Sequence, residues 1–261
     1  MDLKLSGKTA LIAASSQGLG RAIAEGLLKE GANVVISGRD ESKLKQVVTE
    51  IDPEGSGKAT FVRADVTNQD DIKQMVQTAI DSFGRLDILV NNAGGPPAGS
   101  FETLTDEDWQ ASFELNLLSY IRLIREALPA LKTNGGKIIN IASSSIKEPI
   151  PGLILSNTFR TAIVGLSKTL AQELAPYNIL INTVAPGRIA TDRVRHLDQV
   201  NAEKLGITRE EVEAKMKESI PLKRYGTPQE FANFVVFLAS EANTYVTGSS
   251  FLVDGGMVKS I

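Results

Sequence analysis

Two groups of residues in this chain are spaced for chemistry. The first lies in AASSQGLGRAIAEGLLKEG, where Gly18 and Gly20 follow a short aliphatic run and open an apolar helical pattern. Glycines between a strand and a helix let backbone amides approach a phosphate at the positive end of the helix. The stretch therefore reads as a dinucleotide cradle, with Ser15, Ser16, Gln17, Gly18, Leu19 and Gly20 as candidate contacts. The second group lies in PGLILSNTFRTAIVGLSKTLAQELAP, from Pro151 to Pro176, where Ile163, Leu166 and Leu170 recur at helical spacing. Ser156 and Arg160 stand four apart in its first turn, on one face. A serine hydroxyl cannot be tuned to give up a proton near neutral pH, and a guanidinium does not lose its proton in a protein. The pair can hold an anion or hydroxyl groups, but it is no obvious acid or base.

A third stretch, VVISGRDESKL, bears on which dinucleotide is held. A site that prefers NAD offers a carboxylate to the adenosine ribose near the end of the second strand. Ser37 stands there instead, and Arg39 two residues on can take a 2′-phosphate through a charge-assisted contact. NADP(H) is therefore expected in preference to NAD(H); the alternative for Arg39 is an ordinary surface loop residue.

The elements that must position these residues are legible as alternating patterns. Thr9–Ala13, Asn33–Ser37, Thr60–Ala64, Ile88–Val90, Lys137–Ile141, Ile179–Val184 and Ser250–Val253 read as strands, with helical patterns between most of them. Short connections between alternating strands and helices predict an α/β chain: a Rossmann-type, doubly wound parallel sheet of seven strands with helices on both faces. Residues 1–261 read as one dinucleotide-binding domain, with a substrate-loop insertion at about 187–226 in which TREEVEAKMKES forms its own helix. Helix starts are signalled at Thr105–Asp108, Thr208–Glu211 and Thr227–Glu230.

Composition narrows the function classes. A net charge of −3 without a Lys/Arg cluster offers little to nucleic acid or anionic lipid. No run approaches the roughly 18 apolar residues of a membrane span. The absence of cysteine excludes thiol nucleophiles and thiolate metal sites, and one histidine, His196, cannot build a His-rich metal site, so no metal is expected. The amino-terminal apolar run is too short for a signal peptide, and a cytoplasmic location is the expectation.

Several further motifs, in order along the chain, make it resemble the short-chain dehydrogenase/reductase family, and within it the 3-oxoacyl-acyl-carrier-protein reductases. They are Asp65-Val66 after the third strand, NNAG at Asn91–Gly94, ELN ending at Asn116, IINIAS ending at Ser143, APG at Ala185–Gly187 and VDGG at Val253–Gly256. The resemblance implies that Asp65 and Val66 flank the adenine and that Asn92, Ala93 and Gly94 line the adenosine side. Pro186, Gly187, Ile189 and Thr191 would hold the nicotinamide amide, and Asn116 and Ser143 would be catalytic. It also implies a homotetramer assembled through Asp106–Leu131 and Phe159–Ala175, whose apolar load suits helix-to-helix contact.

Two departures from the family pattern follow. Ala13 and Ala14 stand where the glycine motif has Thr and its first Gly, so Ala14 adds a methyl beside the phosphate path. The family's catalytic Tyr and the Lys four residues after it fall, counted from Ser143, on Ser156 and Arg160. Tyr120, Tyr177, Tyr225 and Tyr245 all belong to other elements. Lys147 is the local candidate for a substitute acid or a substrate-anion clamp, against an exposed pair with Glu148. Arg188 is a candidate for a substrate anion, against a pair with Asp192, and His196 for a titrating lid residue, against a plain surface one. The expectation is an NADP(H)-dependent oxidoreductase acting on a carbonyl or alcohol, a small-molecule or acyl substrate of 3-oxoacyl type, through a non-standard active site. The alternatives are a dinucleotide-binding protein that has lost catalysis, or a lyase or isomerase without net redox change.

Overall fold

Alternation of buried aliphatic residues gives the strands two apolar faces, and the chain covers both. The computed structural model describes residues 2–260. Seven strands, β1 (Thr9–Ile12), β2 (Asn33–Gly38), β3 (Ala59–Arg63), β4 (Ile88–Asn91), β5 (Gly136–Ile141), β6 (Ile179–Pro186) and β7 (Ser250–Val253), form one sheet. Their order is β3-β2-β1-β4-β5-β6-β7, and every neighbouring pair is parallel. The order reverses between β1 and β4, which opens a crevice beyond the carboxyl ends of the strands.

Within β1, Ala10 and Ile12 join one core and Leu11 joins the other, as the two-residue period of a strand requires. The first core is closed by α1 (Gly18–Lys29), α2 (Glu41–Ile51) and α9 (Pro228–Ala239). The second is closed by α3 (Gln69–Phe83), α5 (Ser119–Asn134) and α6 (Ile154–Leu174). α4 (Asp106–Phe113) runs into α5 through one π-helical turn at Glu114–Leu118.

The three helix-start signals are all capping boxes: Thr105 with Asp108, Thr208 with Glu211 and Thr227 with Glu230. The segment after β6 holds two helices, α7 (Asp192–Leu205) and α8 (Arg209–Ser219), the second matching TREEVEAKMKES. No helix among the described residues is long and apolar enough to cross a membrane.

A buried polar ladder ties α6 to the sheet. Asn91 Nδ2 on β4 donates to Asn140 Oδ1 on β5 at 2.7 Å, and Asn140 Nδ2 donates to Ser167 Oγ on α6 at 2.9 Å. Ser167 Oγ in turn donates to the Ile163 carbonyl at 2.8 Å and lies 3.0 Å from Thr183 Oγ1 on β6. Each side chain in the ladder is almost wholly buried, so its polar atoms are satisfied by one another, Asn91 Oδ1 excepted. Ser156, Arg160, Ile163 and Ser167 lie along one stripe of α6, and the ladder thereby aims the first turn of the helix at the crevice.

Candidate active site

The crevice is a cleft of about 660 Å³, a size that suits a small-molecule or cofactor site. One end is the loop between β1 and α1. Gln17 precedes α1 without capping it, so first-turn amides of that helix keep their donors for an anion. A Cβ on Gly20 would stand 2.8 Å from the Ala14 carbonyl oxygen and 2.8 Å from Ser15 Cα; only glycine lets the helix pack this close to the loop. Asn92 Nδ2 braces the loop from the far side, donating to the Ala14 carbonyl at 3.0 Å. Ala14 itself sits at φ 47°, in the left-handed region that favours glycine.

Of the six candidate contacts in this loop, Ser16, Gln17, Gly18 and Leu19 line the cleft, whereas Ser15 and Gly20 are buried behind it. Ser15 Oγ donates to the Ile12 carbonyl and accepts the Ser37 N–H at 2.9 Å, clamping the ends of β1 and β2 together. Ser37 departs from its expected place. It is fully buried, its Oγ accepting from Ala14 N at 3.2 Å, and Gly38 is the residue that lines the cleft there. The strand alternation turns Ser37 inward, and the cleft-lining position at the end of β2 therefore has no side chain. Arg39 lines the cleft beside it and lies close enough to act on Asp65. Burial pushes the Asp65 carboxyl up, but hydrogen bonds from Thr67 and the Arg39 charge outweigh it and hold the group below its ordinary value.

Asp65, Val66, Asn92, Ala93 and Gly94 continue one wall, and Pro186, Gly187, Ile189 and Thr191 form the opposite one. At the other end of the cleft, Ser143 follows β5, and Ser156 and Arg160 enter from the first two turns of α6. Ser143 Oγ accepts from Ser145 N at 3.2 Å, which leaves its hydrogen for another acceptor. The Ser156 hydroxyl makes no hydrogen bond among the described residues.

Arg160 is 5% exposed and held on three sides. Nη1 donates to the Tyr120 hydroxyl at 2.6 Å and to the Ile141 carbonyl at 2.8 Å, and Nη2 donates to the Ala93 carbonyl at 3.2 Å. Tyr120 belongs to another element, as expected, yet it reaches Arg160. It belongs to α5, one turn beyond Asn116, and that four-residue spacing is the signal that could have placed it. The phenol is no substitute for the family's Tyr: it is fully buried, outside the cleft, and its proton goes to the Ile141 carbonyl at 2.8 Å. Burial raises its pKa more than the Arg160 charge and hydrogen bond lower it, so the phenol keeps that proton.

Asn116 lies behind the cleft in the π-helical turn, a feature common near functional sites. Its Nδ2 donates to the Gly94 carbonyl at 2.7 Å, and its buried Oδ1 takes no partner among the described residues. Lys147 is not in the cleft. It is exposed at the end of a short 3₁₀ turn, whose direction carries it away from the site, and Glu148 accepts the Lys259 backbone N–H rather than pairing with it. Arg188 does not line the cleft and is not paired with Asp192: it pairs with Asp198, whose other oxygen accepts from the Tyr225 hydroxyl at 2.8 Å, while Asp192 pairs with Arg195. His196 is exposed on α7. Among the lining residues that the sequence reading did not single out are Gly38, Gly95, Pro96 and Arg193.

Residues 13–258 match the family model described as enoyl-(acyl carrier protein) reductase. The chain is 36% identical to the 3-oxoacyl-[acyl-carrier-protein] reductase FabG of Aquifex aeolicus, covering 98% of this chain and 100% of that one. It is 34% identical to the NADPH-dependent reductase BacG of Bacillus subtilis, over 98% of this chain and 100% of the relative. Among solved structures, L-sorbose reductase from Gluconobacter frateurii, complexed with NADPH and L-sorbose, superposes with a TM-score of 0.95 at 36% identity, covering 100% of both chains.

Proposed function

The chain belongs to the short-chain dehydrogenase/reductase family of NAD(P)-dependent oxidoreductases, and from that premise we propose that it reduces a carbonyl compound with NADPH through an active site that has no side-chain general acid. The observation that carries the reading is the convergence of Ser143, Ser156 and Arg160 on one cleft with the uncapped start of α1.

The residues present fit a dinucleotide. The first-turn amides of α1 would meet the pyrophosphate, Asp65 and Val66 the adenine, and Thr191 the nicotinamide end. Gly38 in place of a carboxylate, with Arg39 beside it, supports NADP(H) over NAD(H), since a 2′-phosphate gains a cation and meets no like charge. NADPH, when bound, supplies the hydride. The chain's part is to hold and polarise the carbonyl: the Ser143 and Ser156 hydroxyls have hydrogens to donate to its oxygen. Arg160 contributes a fixed positive charge but no proton. The proton that completes the alcohol then comes from water or from an acidic group of the substrate itself, which balances the hydride added to carbon.

A general acid is worth on the order of 10²–10⁴ in rate, so simple ketones should turn over slowly. The double change Ser156→Tyr with Arg160→Lys is expected to raise reduction of short 3-oxoacyl esters by at least about tenfold. Steady-state assays of both proteins with NADPH and with NADH test it, NADPH being the better donor in each. Wild-type turnover matching an ordinary family member, or faster reaction with NADH, would overturn the reading.

A further inference from the structure

Arg193, near the start of α7, reaches across the cleft mouth to the loop that follows β4, where Nη2 donates to the Pro96 carbonyl at 2.8 Å. Its guanidinium occupies the space a side chain at residue 95 would need. A Cβ on Gly95 would stand 2.9 Å from Nη2, 3.0 Å from Nε and 3.2 Å from Cζ. Glycine at 95 is therefore the seat of this arginine. Arg160 meets the same loop from the other side, at the Ala93 carbonyl, and both side chains line the cleft.

Neither guanidinium is paired with a carboxylate among the described residues; the ion pairs there use other arginines and lysines. Asp192, next to Arg193, is committed to Arg195, and Asp65 lies near Arg39. Arg193 is exposed overall, but its guanidinium is partly desolvated where it crosses to the loop; that desolvation, and then the Arg160 charge, lower its pKa below the ordinary guanidinium value. Each also keeps N–H donors to spare: a guanidinium has five, of which Arg160 uses three and Arg193 one.

Like charges held together without a counter-ion are unfavourable, and an oxyanion between them removes the penalty while accepting the spare donors. We propose that Arg193 and Arg160 flank a seat for an oxyanion carried by the substrate, a carboxylate or a phosphate ester attached to the carbonyl compound. This rests on the proposed carbonyl reduction in the same cleft and adds the substrate class: an acidic oxo compound rather than a neutral ketone. The same oxyanion chemistry exists in the cofactor's pyrophosphate. The substrate is the source favoured here, because the uncapped α1 amides would meet the pyrophosphate, whereas Arg193 shares its part of the cleft mouth with the loop that Arg160, one turn from Ser156, also holds.

The test is equilibrium titration by calorimetry of the full chain saturated with NADP⁺, which blocks turnover, using acetoacetate and its neutral methyl ester as probes. Acetoacetate is expected to bind about tenfold more tightly than the ester, the scale of one charge-assisted hydrogen bond. Arg193→Gln should erase that difference, Arg193→Lys should restore part of it, and NADP⁺ affinity should change less than about twofold. Equal affinities for acid and ester in the wild type would overturn the proposal. So would an Arg193→Gln protein that loses NADP⁺ affinity but keeps the acid preference, since the seat would then be the cofactor's. Should NADP⁺ not bind the wild type at all, the cofactor reading falls by itself. Inorganic phosphate titrated into the chain alone then decides the seat: binding lost in Arg193→Gln supports it, and binding equal in both proteins overturns it.

Discussion

Ala14 holds a backbone conformation that a β-carbon disfavours, and it does so on the wall of the cofactor cleft. The left-handed region costs an L-residue roughly 1–2 kcal/mol, of which the extra chain entropy of glycine takes back part. Ala14→Gly is therefore expected to raise stability by roughly 1 kcal/mol, read as a higher urea midpoint with unchanged slope, and not to weaken NADPH binding. A lower midpoint would show that the methyl packs well enough to offset the strain. The sequence identified Ala14 as a departure but carried no dihedral angle, so the strain was not legible there. The same holds for Ser37: a buried and a cleft-facing residue differ by one position in a strand, and spacing alone did not separate Ser37 from Gly38. Ser143, Ser156 and Arg160 could be placed together because the resembled family's pattern is itself a set of separations along the chain, and the three do line one cleft.

At the scale of elements, the strands were the easiest to read, since a parallel sheet covered on both faces needs unbroken aliphatic runs, and short runs of that kind between helical patterns fit little else. Helix starts came from capping chemistry, which is local. α9 illustrates how local: its capping Thr227 and Glu230 are joined by Arg224, which grips both carboxylate oxygens of Glu230 at 2.8 and 2.6 Å. The hydrogen bonds from Arg224, together with the Thr227 backbone, hold the Glu230 pKa down at about 2, against an ordinary 4.5. A depressed carboxyl contributes stability that is complete above its ordinary value and is lost as pH falls through the folded one. Glu230→Gln should therefore melt below the wild type at pH 7, and the gap should close between about pH 4.5 and pH 2. A gap equally wide at both ends of that range would show that the charge has no part in it. What capping and periodicity could not convey was the reach of side chains between elements, from α7 to the loop after β4 or from α5 to Arg160, because such contacts join residues distant in sequence.

For the whole molecule, we expect a homotetramer built on α4–α5 and α6. Trp109 and Phe159 stack edge-on at 5.8 Å between those helices, and Gly165 on α6 is exposed, with open space around a would-be Cβ. Gly165→Glu puts a charge into that space and improves helix propensity, so sedimentation should show smaller assemblies while circular dichroism stays unchanged. A wild-type chain that sediments as a monomer at micromolar concentration would remove the expectation. The ladder from Asn91 through Asn140 to Ser167 and Thr183 has a further consequence. It docks α6 through a residue two turns below Arg160, so the placement of the helix does not rest on the Arg160 contacts alone. A change at position 156 or 160 therefore leaves the deeper anchor of the helix in place, and the side chains presented to the cleft can vary over a scaffold fixed from below.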